Sequence, residues 1–400
     1  MGTAPAEGTF GRVVDGAGKV LMPGFVNAHT HLPMTLMRGY GGGCDLHTWL
    51  NQYIFPAEAR LDSRAVAAGA GLGLAEMIAS GVTCVADMYM HTGTIAEQIL
   101  EAGISANLSC GGVYLGAPED FSPETCGDCR NQAALTEEWH GAGAGQILVD
   151  ASVHGEYTSN PPLWRWMAEY AAEHRLGMHV HVSETQSEHQ ASLERWGKTP
   201  IQALDGCGVW DCGRSLAAHC VYTTEEDWAL MAEKGISCVH NPWSNLKLGS
   251  GVAPIPAMMR AGVNVALGTD GMSSHNSADL FSDIKLAAVL HNGVERDPMA
   301  VNAWAALEMA TVNGARALGR DTGVIAPGKT SDLILVDLSA PKLIPCHDPV
   351  EDLVFSAHGS NVEMNMARGQ VIYEKGSFLT LDLERVRWEV EHYALPLIFG

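Results

Sequence analysis

Positive charge is scarce in this 400-residue chain: 24 Lys and Arg stand against 46 Asp and Glu, for a formal net charge of −22. A field of that sign repels phosphate backbones and anionic membrane surfaces, which sets nucleic acid and membranes aside as partners. Lysine is missing altogether between Lys19 and Lys198. No apolar run reaches the roughly 20 residues that cross a bilayer. Met1 to Arg12 lacks the apolar core and basic flank of a signal peptide. The ten cysteines show no disulfide-like spacing and read as buried thiols of a reducing, cytoplasmic compartment. Internal repeats and low-complexity tracts are absent too.

What is present is ordinary globular composition, 46% hydrophobic and 18% charged, in a length that allows one large domain and a smaller one. Short β-branched runs alternate with helical patterns, which argues for parallel strands with crossover helices. The strand candidates are Val20–Asn27, Thr83–Asp87, Ser105–Cys110, Ile147–Val153, Met178–Val182, Ser215–His219, Ser237–His240 and Asn264–Thr269. Helical patterns fall between them, among them Ala65–Ser80, Leu163–His174, Thr224–Lys234 and Ala278–Leu290. The fold class expected is α/β, a (β/α)8 TIM barrel. A doubly wound sheet shows the same alternation, but it spreads its strand ends along a line. Here His29 and His31, His181, His219 and Asp270 all sit at strand ends, and a barrel gathers such ends around one mouth. After a helix at Ala300–Leu318, a strand at Asp332–Asp337 and a hairpin around Arg368-Gly369 predict a small β-sandwich domain. The expected division is 1–20, a remnant of the small domain; 21–318, the barrel; 319–380, the small β domain; and 381–400, a terminal helix and tail.

His29-Thr30-His31 places two imidazoles on one strand face, by the two-residue period of a strand. Neutral imidazoles so close together suit Zn²⁺, with Fe²⁺ or Mn²⁺ as alternatives. A lone pair of this kind is weak evidence; a further His and an Asp at other strand ends make it strong. His181 is the third candidate ligand, and His179, on the same face, is an alternative ligand or, as preferred, a residue that lines the site or supports a ligand. Glu184 follows His181 by three residues and can reach a water on the metal. Asp270 ends an apolar strand, where a carboxylate needs a strong partner such as a divalent cation; the plain alternative is a turn cap. His219 is a functional group or a satisfied core histidine, and His240 a supporting or structural residue. A bridged metal pair in such a barrel uses a carboxylated lysine of the fourth strand. The lysine gap excludes it, leaving one metal. His154-Gly-Glu156 and Cys126-Gly-Asp-Cys129 echo another zinc-deaminase pattern. The order is reversed and the proline is missing, so Cys126 and Cys129 read as loop thiols.

Pro23-Gly-Phe-Val-Asn-Ala-His-Thr-His31, His179-Val-His-Val-Ser-Glu-Thr185, His240-Asn-Pro-Trp-Ser-Asn-Leu-Lys247 and Leu267-Gly-Thr-Asp-Gly271 resemble the amidohydrolase superfamily. More narrowly they resemble its 5-methylthioadenosine/S-adenosylhomocysteine deaminases, from about Val14 to Tyr393. The resemblance implies His29, His31, His181 and Asp270 as metal ligands and Glu184 and His219, with Asp270, as catalytic groups. It implies Trp49, Glu58, His154, Glu184 and Ser274 as substrate contacts, Trp49 on a purine and Glu58 on ribose hydroxyls. On residue type alone Trp49 is core and Glu58 a solvated helix charge. The implied reaction is hydrolytic deamination of 5-methylthioadenosine, S-adenosylhomocysteine or adenosine, by a homo-oligomer. Guanine, cytosine, a pterin or a triazine is the rival substrate, and a non-catalytic scaffold the remote one. The chain departs from the family where His-x-Pro-Tyr becomes His154-Gly-Glu-Tyr157. An Arg for the homocysteine carboxylate has no counterpart beyond nearby Arg130. The family also carries two to three dozen more residues before the first barrel strand, so an upstream start or a shortened chain is expected.

Overall fold

A computed structural model describes residues 12–400 of the chain. The expectation of a small-domain remnant at 1–20 falls in part on residues 1–11, which lie outside the described residues. The strands are β1 Lys19–Pro23, β2 Phe25–His31, β3 Val82–Met88, β4 Ser105–Ser109, β5 Ile147–Val149, β6 Ala151–Gly155, β7 Met178–Val182 and β8 Ser215–His219. They continue as β9 Ile236–His240, β10 Val265–Leu267, β11 Asp270–Gly271, β12 Leu333–Asp337, β13 Val362–Ala367, β14 Gln370–Glu374 and β15 Ser377–Phe378.

Two parallel ladders form the α/β body, β11-β2-β3-β4-β5 and β6-β7-β8-β9-β10. The chain passes from one to the other at Asp150 and again at Gly268-Thr269, so eight strand runs follow one another in sequence order around the barrel. At Asp150 the fourth run changes partner: the Asp150 N–H still donates to the Leu108 carbonyl of β4, the Ala151 N–H to the Gly177 carbonyl before β7, and the Asp150 carboxylate is held by the Arg214 guanidinium and the Asn107 amide. Small residues such as Ala28, Cys84, Ala86 and Ala266 fill the inside with Val26, Leu216 and Val239, beside Ala315 and Leu318 of the helix Val312–Leu318. Larger apolar residues pack the helices onto the outside, as where Phe25 meets Phe281 edge-to-face.

A separate antiparallel sheet runs β1-β12-β13-β14-β15. Among the described residues it is one layer. The expected first strand, Val20–Asn27, is therefore two strands. Lys19–Pro23 pairs antiparallel with β12, and the barrel strand begins only after Gly24. Pro23 lacks an N–H to continue the ladder. A Cβ on Gly24 would stand 2.3 Å from Thr83 Cγ2, so only glycine lets β2 start so close to β3. The helix expected at Ala300–Leu318 is likewise two, Ala303–Met309 and Val312–Leu318. The break at Thr311 leaves the Ala310 carbonyl free to accept the Val26 N–H.

Candidate active site and metal centre

The C-terminal ends of β2, β7 and β8 and the start of the short β11 bring the predicted residues together. In register, Asp270 of β11 lies beside Thr30 of β2, between the two imidazoles of the His29/His31 pair. Asp270 Oδ1 is consequently 3.3 Å from His29 Nε2 and 3.2 Å from His31 Nε2. His181 Nε2 reaches 3.3 Å from His31 Nε2. His29, His31 and His181 offer ring nitrogens within 4.8 Å of one another, and so do His29 and His219 with an oxygen of Asp270. Asp270 and His219 hold left-handed backbone, φ 62° and 74°. Neither is glycine, so each stores strain of the kind that clusters at functional positions.

Every donor is aimed from behind. His31 Nδ1 lies 2.5 Å from the Met88 carbonyl and His181 Nδ1 2.7 Å from that of His154, contacts that in the neutral ring place the proton on Nδ1 and turn Nε2 toward the cluster. His29 Nδ1 meets His179 Nε2 at 2.8 Å, which makes His179 a support and not a lining residue. Ser244 and Ser274 hydroxyls donate to Asp270 Oδ2 at 2.6 and 2.9 Å, turning Oδ1 toward the imidazoles. Burial pushes His29 down to about 4. Burial also lowers His31, but the Asp270 carboxylate and the Met88 carbonyl outweigh it and bring it up to about 9. Burial raises Asp270, yet the facing His29 and His31 imidazoles outweigh it and hold it well below the usual carboxylate range. The carboxylate thus calls for positive charge at this point. His29 Nε2 is buried and has no hydrogen-bond partner, since Asp270 stands outside bonding geometry. Three imidazole nitrogens, one of them orphaned, and one carboxylate oxygen fit a divalent cation of zinc type.

Glu184 and His219 stand beside this set. His219 Nε2 is 3.8 Å from Glu184 Oε2, and Ser250 Oγ donates to Glu184 Oε1 at 3.3 Å. His219 Nδ1 is fixed by Asn245 Oδ1 at 2.8 Å. Burial, with the Asp270 charge adding to it, raises Glu184 above the usual carboxyl range. Behind it Glu188, pushed up to about 8 by burial and by Glu184, accepts the N–H groups of Ser183 and Glu184 at 2.8 and 2.7 Å.

A cavity of about 450 Å³ opens from these groups, and Trp49, Glu58, His154 and Ser274 line it with them. His29 lies beneath its floor, fully buried. Glu58 Oε1 accepts from the Tyr89 hydroxyl at 2.6 Å, and burial raises its pKa. Trp49 is 4% exposed, its indole N–H on the Tyr40 carbonyl. The Glu156 that departs from the family motif is buried beneath the His154–Tyr157 turn. Arg195 and the Trp196 indole N–H hold its carboxylate there, at 2.6 and 2.5 Å. Other sequence candidates lie apart. His240 pairs with His291 at 3.0 Å, outside the cavity wall. Cys126 and Cys129 are buried at the start of the helix Gly127–Trp139 and form no metal group with His154 among the described residues. Arg130 is exposed, its guanidinium on the Glu124 and Thr125 carbonyls. Sequence reading missed Asn245, Ser244, Glu188 and Tyr89, because neutral or off-strand residues carry no signal of their own. Asp87 it could have found. That residue too ends an apolar strand, its Oδ1 accepts the Leu32 N–H at 2.6 Å, and burial pushes it up to about 7.

A barrel that gathers imidazoles and a carboxylate at the ends of its strands, over a closed-in cavity, has the build of a metal-dependent hydrolase. The amidohydrolase family signature matches residues 20–372, and the chain belongs to that family. It is 42% identical over 97% of its length to a 5-methylthioadenosine/S-adenosylhomocysteine deaminase of Caldanaerobacter subterraneus, covering 89% of that protein. To a 5′-deoxyadenosine deaminase of Methanosphaera stadtmanae it is 40% identical, over 96% of this chain and 90% of the relative. Among solved structures, a zinc-bound adenosine deaminase from Xanthomonas campestris superposes with a TM-score of 0.88 at 33% identity, over 95% of this chain and 86% of that one. No described helix is long and apolar enough to cross a membrane.

Proposed function

We propose that this chain is a deaminase of adenine nucleosides, hydrolysing the 6-amino group to ammonia and an inosine-type product with one bound divalent cation. One observation carries the reading: a single cavity is lined both by the metal donors His31, His181 and Asp270 with Glu184 and His219 and by Trp49 and Glu58, a flat aromatic and a carboxylate suited to base and ribose. The names of the relatives support it. Zinc is the proposed ion, held by His29, His31, His181 and Asp270, since the Xanthomonas neighbour carries zinc; iron(II) or manganese(II) suits the same donors.

The cation, when bound, supplies Lewis acidity that makes an attacking water acidic near pH ~7. Asp270, turned by Ser244 and Ser274, accepts the proton of that water. Glu184, whose burial favours its protonated form, donates to purine N1 so that C6 accepts the oxygen. His219 donates through Nδ1 to Asn245, which leaves Nε2 facing the attacking oxygen to orient it. The tetrahedral C6 adduct then breaks its bond to the amino nitrogen. The proton held by Asp270 passes to that nitrogen and completes ammonia, while the adduct's hydroxyl proton returns to Glu184, so that C6 keeps the oxygen as a carbonyl and N1 keeps the proton it was given. A cytoplasmic homo-oligomer goes with this reading.

The test is ammonia release by purified, zinc-loaded protein from adenosine, 5-methylthioadenosine, S-adenosylhomocysteine, guanine, cytosine, a pterin and a triazine, with a chelated control. Turnover of the nucleosides, lost on chelation, is expected. Turnover of guanine, a pterin or a triazine with none of the nucleosides would overturn the proposal.

A further inference from the structure

The cavity wall contains no lysine or arginine, yet four carboxylates face it: Glu58, Asp128, Glu184 and Asp270. Three of these have a part in the proposed reaction; Asp128 has none. It stands in the first turn of the helix Gly127–Trp139. Its Oδ2 accepts the Val113 N–H at 2.8 Å, and its Oδ1 lies 3.4 Å from the Asn131 amide. Both partners are neutral and no cationic side chain faces it, so apart from the helix dipole its negative charge is unpaired. Val113 belongs to the rim of the cavity. With Phe55, Met90 and Leu115 it is among the exposed members of the lining, at 38%, 44%, 38% and 77%. The nearest guanidinium along the helix, Arg130, is tied to backbone carbonyls and does not reach the wall.

We infer that a nucleoside whose purine ring lies against Glu184 and Asp270 at the inner end directs the substituent on its ribose 5′ carbon to this exposed rim. We propose that Asp128 makes the mouth a charge filter: the 5′ substituent accepted there is apolar or carries an ammonium, and one ending in a free carboxylate is turned away. The apolar rim suits a short thioether or methyl group, and the lone carboxylate among apolar neighbours repels a second one in a partly water-excluded setting. This rests on the deaminase reading above and narrows its substrate class. A zwitterionic amino-acid tail presents both charges at once, so single-charge tails separate the effects.

The experiment compares kcat/KM for 5′-methylthio-, 5′-aminopropylthio- and 5′-carboxypropylthio-adenosine with the zinc-loaded enzyme at low ionic strength. The amino analogue should exceed the carboxy analogue by about tenfold or more, the scale of one unscreened surface charge pair. Asp128→Asn, which keeps an acceptor for the Val113 N–H, should shrink that ratio about tenfold. Raising salt from roughly 0.02 to 0.5 M should narrow it in the unaltered enzyme, since screening shortens from about 20 Å to a few ångströms. That second arm needs no variant to fold. A carboxy analogue that matches or beats the amino analogue, or a ratio that neither salt nor Asp128→Asn moves, overturns the filter while leaving nucleoside deamination standing. Failure of all three nucleosides to react overturns the deaminase reading and the filter together.

Discussion

Replacing Glu184 by Gln separates proton transfer from everything else the site does. The side chains have the same shape, and the amide oxygen can still accept from Ser250, 3.3 Å away in the native protein. The amide nitrogen can take the place of Oε2, 3.8 Å from His219. Neither contact involves His29, His31, His181 or Asp270, so metal binding should persist at one equivalent per chain. The backbone is held independently, because Glu188 accepts the N–H of residue 184 whatever its side chain. What disappears is an acidic proton. Positioned general acid–base catalysis contributes about 10²–10⁴ in rate. At 1.36 kcal/mol per decade that is about 2.7–5.4 kcal/mol of transition-state stabilisation. The assay is steady-state ammonia release with metal measured on the same sample. A kcat lowered by about 10²–10⁴, KM within a few-fold and metal intact is the expected result. A kcat within about threefold of the native enzyme would remove Glu184 from the chemistry, and metal loss would show that it serves the ion instead.

Three further perturbations test other parts of the site. Glu58→Ala should raise KM for nucleosides about tenfold, the loss of one charge-assisted hydrogen bond to a ribose hydroxyl, and leave any free-base turnover unmoved; an unchanged nucleoside KM would take Glu58 off the ribose. Gly268→Ala forces a Cβ to within 2.9 Å of the His29 backbone nitrogen and Cβ and 2.6 Å of Asn241 Oδ1. His29 must shift, so zinc affinity measured by chelator competition should fall about tenfold or more, at an overpacking cost of about 1–3 kcal/mol; native affinity would show that the loop absorbs the methyl. Arg195→Met leaves the buried Glu156 carboxylate with only the Trp196 indole as donor. Stability from urea unfolding should drop by about 2 kcal/mol, below the range for a fully buried pair because Arg195 is partly exposed. A midpoint unchanged at constant slope would show that water replaces the guanidinium freely.

Residue types at strand ends determine much of this protein by themselves. An HxH pair, His181 and Asp270 are legible in the sequence because a charged or titratable group finishing an apolar strand is costly unless something holds it, and parallel strands bring such ends to one place. The lysine gap excludes a metal pair bridged by a carboxylated lysine from composition alone. Other features are decided only in three dimensions. That β1 pairs with the small sheet while β2 starts after Gly24, where any Cβ would clash with Thr83, depends on a neighbour almost sixty residues away, which no local pattern encodes. That His179 backs His29, while His240 turns away to His291, depends on what packs behind each strand. Asn245, Ser244 and Glu188 are ordinary residues made important by proximity. Asp128 reads as a helix-start acid in sequence and becomes part of the cavity wall once the helix is docked. Periodicity and the cost of burying polar groups act along the chain and can be read from it. Distances between residues far apart in sequence are set by packing, and packing exists only in the fold.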